Sequence, residues 1–121
     1  MMDTQRIFTA IGGLMGAAGV ALSAAAAHRA GEPNLGIAAN FMMFHAPVFL
    51  AVGLIGGGKF LRLAAIVLLV GVLLFAGDLL SRVFLGDRLF PFAAPSGGVL
   101  MIAGWLLVAG STFVKTAPNR L

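Results

Sequence analysis

Residues 61–85 read LRLAAIVLLVGVLLFAGDLLSRVFL, with no charged side chain between Arg62 and Asp78. As a helix this stretch would run about 37 Å at 1.5 Å per residue, more than the roughly 30 Å hydrocarbon core of a bilayer. Leu, Ile and Val fill it so evenly that no face is left polar for water. In water such a segment could exist only inside a large core. The chain has no room for one. It holds 121 residues, 60% hydrophobic and 10% charged, where a soluble domain carries about 25% charged residues. The stretch is therefore expected to be a transmembrane helix.

Three further runs share the pattern, at residues 7–27, 35–55 and 96–114. Together the four use nearly the whole length, which predicts an all-α fold: one four-transmembrane-helix bundle with short loops, a single domain over residues 1–121. Breakers separate the runs. They are His28-Arg29-Ala30-Gly31-Glu32-Pro33-Asn34, then Gly56-Gly57-Gly58-Lys59, then a longer connection from Gly86 through Pro91 to Pro95. The first run also mimics a secretory signal, with Arg6 in front and Ser23-Ala24-Ala25-Ala26-Ala27 behind. It is expected to remain as an uncleaved helix.

The net charge is +4. The basic residues stand singly between apolar runs, without the patch or stripe that nucleic acid requires, so no nucleic-acid partner is expected. They suit lipid headgroups instead. An even number of spans puts both termini on one side, together with Arg6, Lys59, Arg62, Lys115 and Arg120; Arg29, Arg82 and Arg88 fall opposite. The positive-inside rule then predicts a multi-pass protein of a bacterial inner membrane with cytoplasmic termini. The chain has no cysteine, which excludes disulfides, thiolate metal sites and cysteine nucleophiles.

Small residues mark where helices should meet. Gly12, Gly16 and Gly19 share one face of the first span, and Gly97 and Gly104 one face of the fourth. Such faces let backbones approach closely. Pro47 removes a backbone donor and should bend the second span near His45. Trp105 falls mid-span, outside any interfacial belt, where packing or an internal hydrogen bond is its expected role.

Polar residues inside a bilayer are costly and face protein or a cavity. His45, Asp78, Arg82 and Asn40 are the candidates here. Counted from the expected outer helix ends, His45 lies about 15 Å deep and Asp78 about 10 Å. Arg82 follows Asp78 by four residues and shares its face. These residues are expected to form one buried polar cluster that neutralises itself and fixes helix register. A competing reading makes His45 and Asp78 a proton or ion path, because histidine changes charge near neutral pH. Haem ligation by His28 and His45 is a third, weakened by their different depths. No metal and no cofactor are expected, and nothing resembles a nucleophile with its base, so the chain is not read as an enzyme.

In order along the chain, these residues form a recognisable set. An alanine-rich first helix ends in Ala24-Ala25-Ala26-Ala27-His28, and Phe44-His45-Ala46 lies in the second. Phe75-Ala76-Gly77-Asp78 follows in the third, then Pro95-Ser96-Gly97-Gly98 and Gly104-Trp105 in the fourth. The set resembles the small membrane proteins grouped as domain of unknown function 423, which includes transmembrane protein 256. The likeness covers nearly the whole chain. It departs where alanines replace two family glycines before His28, where Phe41 and Phe44 stand at common tyrosine positions, and where Asp78 and Leu80 stand for Ser and Tyr. The resemblance implies a membrane bundle and supplies no activity.

The expected function is a non-enzymatic accessory or scaffold subunit that packs against other membrane helices. The alternative is a small transporter or an ion or proton channel acting as an oligomer. A small four-helix drug exporter would be expected to carry an acidic residue in the first span, and residues 7–27 have none. The expected partners are the lipid bilayer and either a larger membrane protein complex or further copies of the chain.

Overall fold

The computed structural model describes residues 3–114. Lys115 and Arg120, both used in the charge count, lie outside the described residues. Four helices follow in order: α1 (Thr4–Ala27), α2 (Pro33–Ile55), α3 (Gly58–Phe84) and α4 (Ala93–Gly110), the last running into a 3-10 turn at Ser111–Phe113. All four spans are long and apolar enough to cross a membrane.

Each helix starts earlier than the apolar runs indicate, and local chemistry explains most of the shift. Asp3 caps α1, its Oδ1 accepting from the Arg6 backbone N–H at 2.9 Å. Pro33 opens α2, and Pro95 sits in the first turn of α4, where a missing N–H costs no helical bond. Phe92 enters α4 at φ 67°, the one non-glycine residue with positive φ among the described residues. Between α2 and α3 the chain turns through Gly56, Gly57 and Gly58, at φ 94°, 95° and 84°. Three successive residues in that region are feasible only for glycine. The Pro47 ring does not break α2, which stays helical on both sides of it.

The helices pack in sequence order, α1 on α2, α2 on α3 and α3 on α4. The two end pairs form close hairpins, with α2 and α3 as the inner helices. In lipid no hydrophobic force drives one apolar helix onto another, so close van der Waals approach must hold the bundle. Glycines provide it. A Cβ at Gly12 would lie 2.7 Å from Leu50 Cγ, and one at Gly19 2.5 Å from Met43 Cγ. Gly53 answers from α2, where a Cβ would run into the Thr9 hydroxyl. Gly16, by contrast, has only ordinary contact with Ala46, at 3.8 Å.

The α3–α4 hairpin is tighter still. A Cβ at Gly97 would meet backbone on α3, 2.6 Å from Phe75 N and 2.7 Å from Gly71 O. One at Gly104 would lie 2.6 Å from Leu68 Cγ. Between the hairpins Phe49, Leu68, Val72 and Met101 fill the core. Bulky aliphatics turn outward from α3 and α4, among them Leu63, Leu73, Val99, Ile102 and Leu106.

Candidate functional site

The four residues expected to form one polar cluster do not come together. Asp78 and Arg82 pair, His45 joins a different group, and Asn40 is exposed.

The first group sits at the C-terminal end of α3. Asp78 has a side chain only 1% exposed, and Arg82 holds it from one turn on, Nη2 at 2.9 Å and Nε at 3.0 Å. The other carboxylate oxygen reaches into the following loop, where Oδ1 accepts from the Leu89 backbone N–H at 2.8 Å. Ser81 donates to the Asp87 carbonyl at 2.7 Å. Asp78 and Ser81 together fasten residues 85–92 over the end of the bundle. This is anchoring chemistry, since the carboxylate has committed both oxygens to structure.

The second group lies mid-membrane and spans three helices. His45 is twelve residues into α2, about 18 Å along it, whereas Asp78 is six residues from the end of α3, about 9 Å. Helix ends shifted from the sequence boundaries widen this gap beyond what the apolar runs suggest, and it separates the two groups. The His45 Nδ1 is 2.7 Å from the Phe41 carbonyl, and Nε2 is 3.1 Å from the Trp105 indole Nε1. A carbonyl can only accept and an indole N–H can only donate. The network therefore specifies the tautomer with its proton on Nδ1 and its lone pair on Nε2. The rings of Phe41 and Phe75 close the group, their centroids 4.6 Å apart. Both histidine nitrogens are occupied.

Trp105 is the member that the sequence leaves unassigned to His45, although a signal for it exists. The second and fourth spans run in the same direction, and the two residues stand at similar distances from the N-terminal ends of their helices. Phe44, the aromatic beside His45, is 69% exposed and faces away from this group. His28 is exposed at the end of α1, where Arg29 lies 5.3 Å over the Phe84 ring and close to Glu32. His28 and His45 thus do not share a site.

Beneath Trp105 an apolar cavity of about 490 Å³ opens between α2 and α4 over α3. Val52 and Ile55, Leu61 and Ala65, Trp105 and Val108 line it. A shallower groove of about 350 Å³ runs between α1 and α2, along Gly13, Ala17, Met43 and Pro47. Among the described residues no three His, Asp or Glu side chains converge on a point where a metal could sit.

Known proteins place this architecture in a family. The profile described as "Protein of unknown function (DUF423)" matches residues 15–98, from the middle of α1 to the first turns of α4. A UPF0382 membrane protein of Haemophilus influenzae is 36% identical over 76 residues, 61% of this chain and 61% of that one. A UPF0382 membrane protein of Staphylococcus haemolyticus is 35% identical over 78 residues, 63% of this chain and 64% of its own. The chain thus spans a little under two thirds of the length of these relatives. No solved structure matches. The matched segment contains Gly19, His45, Gly53, Asp78 and Gly97, so both hairpins and both polar groups fall at least partly within it. The chain is a membrane protein of the DUF423 family.

Proposed function

We propose that the chain is a non-enzymatic accessory or scaffold protein of the bacterial inner membrane, with cytoplasmic termini, that receives a helix of another membrane protein. Asn40 carries this reading. It lies seven residues into α2, about 10 Å along the helix, and its side chain is exposed on the outer surface of the bundle. An amide facing hydrocarbon is unfavourable, and the usual remedy is a hydrogen bond from a neighbouring helix.

The surroundings suit such a neighbour. One turn on, Met43 begins the groove between α1 and α2. Its α1 wall includes Gly13, which has nothing within 4 Å of where a Cβ would stand. Small residues there admit a backbone closely, unlike the bulky faces of α3 and α4. A conducting role gains less support, because His45 and Asp78 already commit their polar atoms to Phe41, Trp105, Leu89 and Arg82.

Asn40→Leu and Gly13→Leu are expected to leave the monomer's melting temperature nearly unchanged, since neither position packs inside the chain. Both should abolish co-migration with a larger complex on native gels of mildly solubilised membranes. A wild-type protein that runs as a discrete homo-oligomer would favour the transporter reading instead. Unchanged assembly in both variants would show that this face receives no partner helix.

A further inference from the structure

The cavity beneath Trp105 lies within the span of the membrane, so whatever fills it must come from the bilayer. Its walls are aliphatic apart from the Trp105 ring, and the indole N–H is already donated to His45. Buried water needs two to four polar partners, which these walls do not supply. An apolar space open at the side of a membrane bundle is therefore filled by hydrocarbon. At about 30 Å³ for a water-sized group, 490 Å³ holds roughly sixteen such groups, the scale of one lipid acyl chain.

Two basic residues adjoin the cavity lining in the chain. Ile55 ends α2, Ala65 lies two turns into α3, and Leu61 sits in the first turn of that helix. The same turn of α3 carries Lys59 and Arg62, both exposed, and Arg62 directly follows Leu61. Among the described residues neither has an ion pair; the two ion pairs present, Arg29–Glu32 and Asp78–Arg82, are elsewhere. Long basic side chains at a helix end extend to the headgroup layer while their stems stay in apolar surroundings. Basic positions between helices on the cytoplasmic side attract anionic headgroups.

We propose that this cavity is a binding site for one anionic phospholipid, its acyl chain between α2 and α4 against Trp105, its phosphate held by Arg62 and Lys59. The site is independent of the Asn40 face. Each basic group near an anionic surface contributes about fivefold, so the pair supplies a preference of roughly 30-fold over a zwitterionic headgroup.

The test is native mass spectrometry of the full chain from nanodiscs containing equal phosphatidylglycerol and phosphatidylcholine of identical acyl chains. The wild type should retain one phosphatidylglycerol with a preference of roughly 30-fold. Lys59→Gln with Arg62→Gln should bring the preference to near unity. Ala51→Phe, which projects a ring into the cavity from its exposed α2 wall, should lose the retained lipid with both basic residues intact. Circular dichroism and elution volume verify that each variant is folded. An Ala51→Phe protein that collapses is replaced by Val108→Trp, which fills the same space from α4. Equal retention of the two lipids by the wild type, or retention unchanged by filling the cavity, would overturn the proposal.

Discussion

Gly97→Leu is expected to unfold the α3–α4 hairpin, with a loss of about 3 kcal/mol or more in a reversible unfolding measurement in detergent micelles. Overpacking a close contact typically costs about 1–3 kcal/mol when neighbouring side chains can move aside. Here they cannot. A Cβ at Gly97 meets Phe75 N, Gly71 O and Phe75 Cα, all backbone atoms of α3. Relief requires the helices to separate, and separation also pulls Gly104 away from Leu68 and Met101 out of the core. The neighbouring glycine is the control. A Cβ at Gly98 would have nothing within 4 Å, so Gly98→Leu should change stability by less than about 0.5 kcal/mol. Similar losses from the two substitutions would mean that the hairpin is not held by backbone contact.

Asp78→Leu should cost about 3 kcal/mol, and Arg82→Gln less than about 1 kcal/mol. The asymmetry follows from burial. Arg82 has a side chain 41% exposed, so its ion pair is discounted by solvent and interfacial screening. Asp78 is buried and also accepts from Leu89 N. A charge-assisted bond of this kind contributes roughly 1.5–3 kcal/mol, and its loss leaves a backbone N–H without a partner. Asp78→Asn keeps an acceptor for Leu89 and should fall between the two. Trypsin at Arg88 gives a second readout, because freeing residues 85–92 should accelerate cleavage in Asp78→Leu far more than in Arg82→Gln. Equal effects of the two substitutions would show that the ion pair, rather than the loop bond, is what Asp78 contributes.

The helices were legible because hydropathy over twenty residues is a strong signal and the breakers between runs are glycine and proline. Their starts were less legible, since Pro33 and Pro95 act as breakers inside a helix yet are harmless in its first turn. The glycine faces on α1 and α4 could be read from spacing, but Gly53 and Gly71, which answer them, stand alone in aliphatic runs. The polar residues were identifiable but not their grouping. Helix α2 is apolar almost all round, so no periodicity marks its buried side, and nothing in the sequence separates exposed Asn40 from buried His45. Asp78 takes a backbone N–H as its second partner, which no pairing of side-chain types can anticipate. The internal hydrogen bond of Trp105 was legible but its partner was not, although His45 and Trp105 lie equally far along helices that run in the same direction.

The bundle requires four crossings in which the N-terminus and the α2–α3 turn share one side of the membrane. The chain has no cysteine, so single cysteines at Asp3, Lys59, Ala30 and Arg88 can be tested one at a time with a membrane-impermeant maleimide in spheroplasts and inverted vesicles. Positions 3 and 59 are expected to label only in inverted vesicles, and positions 30 and 88 only in spheroplasts. Labelling of positions 30 and 59 from the same side would mean that α2 does not cross, and would contradict the fold.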